Sequence, residues 1–140
     1  DDLMGEHGYR RWRAYGQSKL ANLLFALELD RRAHGRLTSV AAHPGYAATH
    51  LQQGQGQKRF EQLMSLGNRV LAQSDAQGSW PSLRAATDPE VRSGDYFGPH
   101  LMELRGHPVR TGRSRHARDL DVAGRLWEVS EDLTGVHYDL

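Results

Sequence analysis

The 140-residue sequence predicts an α/β fold, and three stretches carry that prediction. A long helical pattern runs from Ala14 to His34. A short, mostly apolar and partly β-branched run, Leu37 to Ala42, follows it and stops at His43-Pro44-Gly45. A second strand pattern, Gly94 to Pro99, comes after further helical stretches. Buried strands separated by helical segments point to a parallel sheet with flanking helices.

Taken in order, Asp1 to Arg13 reads as a polar loop. Arg10, Arg11 and Arg13 around Trp12 are either an anion patch or a solvated lead-in to the helix. In the helix, Leu20, Leu23, Leu24 and Leu27 form an i, i+3, i+4, i+7 stripe, and Ala21, Phe25 and Ala26 extend apolar character to other faces. Such a helix packs against more than one neighbour, either within the subunit or in a second copy. Gly35 is placed to end it, because glycine enters the left-handed conformation without steric penalty. Leu37 to Ala42 reads as a buried parallel strand, and ligands of open α/β sheets bind beyond the carboxyl ends of such strands. His43-Pro44-Gly45 falls there.

Gln52 to Lys58 is a Gly/Gln loop, and Phe60 to Gln73 carries Phe60, Leu63, Met64 and Leu71 at helical spacing, as a lid or as an ordinary surface helix. Ser74-Asp75-Ala76 opens another helix with Ser74 as N-cap and Trp80, Leu83 and Ala86 as its expected buried face. Pro81 should bend or disrupt it. Gly94 to Pro99 is a strand, and His100 to Ser114 reads as a Gly/Pro/Arg loop. Arg110, Arg113 and Arg115 there would meet either an acidic partner or solvent. Ala117 to Leu133 is a final helix with Leu120, Ala123, Leu126 and Trp127 on its apolar side.

The chemistry concentrates on the first helix. Tyr15 and Lys19 are four residues apart, hence on one face about a turn apart. A free phenol holds its proton too tightly for exchange at neutral pH, and a neighbouring ammonium stabilises the phenolate. The pair is therefore suited to general acid–base work. Arginine dominates the basic residues, and the two lysines are Lys19 and Lys58. A compact ammonium thus stands at a position where it would matter.

These residues carry a resemblance. AYGQSKLANLLFALELDRR resembles the active-site helix of the short-chain dehydrogenase/reductase family, with its Tyr-x-x-x-Lys motif. The serine before the lysine and the LANLLF run resemble the retinol dehydrogenase and protochlorophyllide reductase-like branch. HPGYAATHL resembles the family's Pro-Gly loop and the threonine that follows it. The resemblance implies the C-terminal half of a doubly wound Rossmann-type parallel sheet with flanking helices, residues 1–140 being part of one oxidoreductase domain. It implies hydride transfer between NAD or NADP, with NADP slightly favoured, and an alcohol or ketone. Leu51, Phe60, Leu63 and Met64 near the expected lid suggest that this substrate is lipophilic. Tyr15 would be the proton donor or acceptor, Lys19 its assistant and a ligand of the nicotinamide ribose, and Pro44, Gly45 and Thr49 would line the nicotinamide end. His43 is only a neighbour in this reading. The alternative is an inactive fragment or degenerate relative acting as an association module. Self-association through Ala14–His34 is an expected partner mode.

The family's phosphate-binding glycine loop is not found. GQGQ at Gly54 to Gln57 follows no strand and reads as a turn. The family's catalytic serine should precede Asp1, and Ser18 is not that residue. The N-terminal half is therefore expected in a longer chain, removed, or in a separate chain.

Composition bounds the rest. With 38% hydrophobic and 25% charged residues the chain has an ordinary globular balance, and its net charge of +1 gives no case for nucleic acid. No apolar run approaches the roughly 20 residues of a membrane span. No secretory pattern opens the sequence and cysteine is absent, which fits a cytoplasmic protein. His43 and His50 form no cluster with ligand spacing, so no metal is expected.

Overall fold

The computed structural model describes residues 2–45 and 74–140. The chain divides into two compact units, one of Asp1–Ser39 with Arg113–Leu140 and one of Val40–Gly112. The predicted α/β class holds, since the described residues include both helices and a three-stranded sheet.

The first unit is built on helix α1, Arg11–Ala33, which starts three residues before the expected Ala14. Its end is left-handed at both His34 (φ 47°) and Gly35 (φ 79°), so the turn assigned to glycine begins one residue earlier. The buried positions are Leu24, Ala26, Glu28 and Ala33, while Leu20, Leu23 and Leu27 of the expected stripe are half-buried. Helix α4, Leu120–Thr134, packs on α1. Asp119 caps it by accepting the Val122 N–H at 3.0 Å, and Gly135 ends it at φ 66°. A short 3-10 turn, His116–Arg118, precedes it in place of the first turn of the expected Ala117–Leu133 helix. Asp119 stops that turn and starts a new helix by offering its carboxylate to the free N–H groups.

Ala123 and Trp127 of α4 are buried, and Phe25 stacks on Trp127 with centroids 5.3 Å apart. Leu120, expected on the buried side, is exposed because it occupies the first turn. Ser39 Oγ donates to the Ala26 carbonyl at 2.8 Å, which ties the chain leaving α1 back to the helix. Glu28 is buried charge within this apolar contact. It accepts from Arg31 at 2.6 and 2.8 Å and from Arg32 at 2.7 Å. Burying a carboxylate costs heavily unless it is paired in this way.

The second unit holds the sheet, with strand order β1-β2-β3. Strand β1 is Ala41–Ala42 and pairs in parallel with β2, Tyr96–Leu101. Among the described residues only the end of the expected Leu37–Ala42 strand is paired, where Ala41 donates to Asp95 and His43 to Phe97. Strand β3, Arg105–Arg110, runs antiparallel to β2. This corrects the expected loop over His100 to Ser114. The turn between β2 and β3 places Met102 (φ 51°) and Glu103 (φ 60°) in the left-handed region, where hairpin turns ordinarily use glycine or asparagine. That atypical turn, with Pro108 inside the strand, hid the hairpin. Proline is tolerated on an edge strand, and β3 is one among the described strands.

Helices α2, Asp75–Gly78, and α3, Trp80–Thr87, cover the sheet's flank. Ser74 forms a full capping box with Gln77, as its position predicts. The disruption expected of Pro81 is a break at Ser79, after which α3 restarts with proline in its first turn. Pro81 is buried, Arg84 and Ala85 are half-buried, and Leu83 and Ala86 are exposed, contrary to the expected face. The restart places the proline ring in the core and makes 81, 84, 85 and 88 the inward row. Arg84 lies 5.4 Å over the ring of buried Phe97, and Arg110 lies 5.9 Å from the same ring.

No helix among the described residues is long and apolar enough to cross a membrane. The Gly/Gln loop, the Phe60 to Gln73 helix, Thr49, His50 and the GQGQ turn lie outside the described residues.

Candidate active site

In the first unit, α1 carries Tyr15 and Lys19 on an exposed face. Residues four apart on a helix are neighbours, and Lys19 Nζ stands 5.3 Å from the Tyr15 ring centroid. Trp12, one turn earlier, meets Tyr15 edge-on with centroids 6.3 Å apart. Arg11 in turn lies 5.5 Å over the Trp12 ring. Leu3, Met4 and Tyr9 are also exposed in this unit. Ser18 Oγ donates to the Tyr15 carbonyl at 2.8 Å, so its proton is engaged by the helix backbone. Gln17 Nε2 donates to the Asp2 carbonyl at 3.3 Å and ties the N-terminal turn to the helix. The sequence marks Trp12 only as part of a basic lead-in, although its spacing of three from Tyr15 already puts the two rings on one helix face.

In the second unit, His43-Pro44-Gly45 follows β1 directly, at the carboxyl end predicted for a ligand loop. Gly45 has φ +72°, and a Cβ there would lie 2.5 Å from the Leu104 carbonyl oxygen. Only glycine meets both conditions. The His43 ring is held between the loop and β2. Its Nδ1 accepts the Gly45 N–H at 3.2 Å, and its ring tilts against Tyr96 at 5.2 Å. A Cβ on Gly98 would come within 1.9 Å of Nε2. Burial lowers the His43 pKa, outweighing the Glu103 carboxylate nearby, which acts to raise it. His43 is only a neighbour by sequence, and the glycine inside strand β2 is the signal that something approaches the backbone there.

The predicted residues thus fall in both units: Tyr15 and Lys19 in one, Pro44 and Gly45 in the other. Among the described residues no group of three histidine, aspartate or glutamate side chains could hold a metal ion.

No family model matches the chain. Individual proteins do. It is 36% identical to retinol dehydrogenase 12 of Mus musculus over 144 residues, covering 99% of this chain and 41% of that protein. The relatives it matches are retinol dehydrogenases and short-chain dehydrogenase/reductase oxidoreductases, and the likeness supports that family for this chain. Polyprenol dehydrogenase of Mus musculus is 37% identical over 138 residues, 96% of this chain and 39% of that protein. The chain spans about two fifths of the length of these curated relatives. A crystal structure of an uncharacterized protein from Mycobacterium paratuberculosis matches the fold with a TM-score of 0.72 and 34% identity. It is covered over 45% of its length by 99% of this chain.

Proposed function

We propose that this segment supplies the proton-transfer half of an NAD(P)-dependent oxidoreductase that interconverts an alcohol and a carbonyl. The observation that carries the reading is the Lys19 ammonium beside the exposed Tyr15 ring on one face of α1. Tyr15 gives its proton to the carbonyl oxygen in reduction and takes it back in oxidation. Lys19 assists that transfer from the same helix face and binds the nicotinamide ribose. Pro44, Gly45 and Thr49 line the nicotinamide end. The cofactor supplies the hydride, and the protein's part is to bind, orient and manage the proton. NADP is favoured over NAD. Trp12 and the exposed Leu3, Met4 and Tyr9 support a lipophilic alcohol or ketone as substrate.

The test uses the full-length protein with NADPH or NADH and a series of ketones and aldehydes of increasing chain length. Cofactor oxidation with matching alcohol formation, rising with chain length, is expected. Absence of turnover with every member, together with no cofactor binding, contradicts the reading.

A further inference from the structure

The Pro-Gly loop has a built latch, and it rests on the nicotinamide-site reading above. Three observations locate it. The His43 ring occupies the space that any side chain at 98 would need, so Gly98 acts as its seat in β2. The backbone of His43 is fixed to the same strand, with its N–H donating to the Phe97 carbonyl at 2.9 Å. From that anchored position Nδ1 accepts the N–H of Gly45, the residue whose left-handed turn gives the loop its shape.

We propose that His43 is the positioning residue of the Pro44–Gly45 loop, holding it through the Gly45 N–H so that the loop is preformed for the nicotinamide end of the cofactor. Accepting at Nδ1 leaves the ring proton on Nε2. That edge is buried although the residue as a whole is half-buried, and among the described residues nothing accepts from it. An unmatched buried donor is a standing cost, so the ring is not there merely to be satisfied. Protonating Nδ1 sets a donor against a donor and opens the latch. The groups facing the ring are the Tyr96 ring of β2 and, by charge, Glu103 of the β2–β3 turn. Glu103 is itself held by Thr111, whose hydroxyl donates to its carboxylate at 2.5 Å. Burial outweighs the pull of Glu103 and keeps the imidazole neutral down to below its ordinary value of 6.5.

The experiment measures NADPH and NADH affinity of the full-length protein between about pH 5 and about pH 8. It compares wild type, His43→Phe and His43→Asn. Phenylalanine refills the ring seat without an acceptor. Asparagine keeps an acceptor near the Nδ1 position but does not titrate. Expected are a wild-type affinity that is flat at neutral pH and falls on the acid side of 6.5. His43→Phe should bind roughly threefold to tenfold more weakly at all pH values. His43→Asn should bind like neutral wild type and lose the acid limb. Should His43→Phe fail to fold, the wild-type and His43→Asn pH profiles decide alone. A His43→Asn profile that keeps the wild-type acid limb overturns the latch, as does wild-type affinity in folded His43→Phe. Wild-type protein that binds neither cofactor overturns the nicotinamide-site reading and the latch with it, a result distinct from the other two.

Discussion

Lys19 Nζ stands 5.3 Å from the Tyr15 ring centroid, one helical turn along the exposed face of α1. Both side chains are exposed in this unit, and Ser18 is engaged by the Tyr15 carbonyl. A phenol with an ammonium over its ring on one helix face is the arrangement on which the proposed proton transfer rests.

Glu28 predicts an acid-sensitive first unit. Its pKa is lowered, first by the hydrogen bond from Arg31, then against burial, and by the bond from Arg32. The unfolded chain therefore takes up this proton more readily than the folded one. The stabilisation is complete above the ordinary carboxylate value of 4.5 and fades as pH falls through the folded value. Glu28→Gln should lower stability by about 1–3 kcal/mol at neutral pH and flatten the acid limb. Urea midpoints taken from neutral pH to below the carboxylate range check this. An unchanged acid limb would rule it out.

Gly98 predicts a coupled pair. Gly98→Ala should cost about 1–3 kcal/mol, because its methyl group enters the His43 ring. In a His43→Ala background the same methyl group has room, so the second substitution should cost far less. Additive losses across the thermal melts of the two single variants and the double variant would contradict the seat.

Arg84 predicts that lysine is no substitute. The guanidinium donates to Asp88 at 2.9 Å and to the Pro108 carbonyl at 2.5 Å while lying over Phe97. One ammonium does not reproduce a flat fork that makes both bonds and stacks. Arg84→Lys should shift the urea midpoint downward by an amount equal to about 1–2 kcal/mol. A midpoint equal to wild type would show that the three contacts are not coupled to folding.

The legible parts of the sequence were those where local chemistry and fold agree. The Ala14–His34 pattern, the Ser74 cap and the Pro81 break each rest on a short-range rule, and each is present with small shifts in boundary. The β2–β3 hairpin was not legible. Its turn uses Met102 and Glu103 at positive φ and its second strand contains Pro108, so the usual local signals point to loop. The inward row of α3 was misread because proline reset the helix and a half-buried arginine replaced an apolar residue over Phe97. At the site, the Tyr15–Lys19 spacing was readable from the helical period alone. The role of His43 was not, because it depends on β2 bringing Gly98 beneath the ring.

The most direct test of the account is the turnover of Tyr15→Phe in the full-length protein, measured beside its NADPH and NADH affinity. The substitution removes one hydroxyl and keeps the ring that lies beside Trp12 and Lys19. The account predicts loss of nearly all turnover with cofactor affinity close to wild type. Turnover near wild type would mean that Tyr15 carries no proton in the reaction, and the central claim would fall.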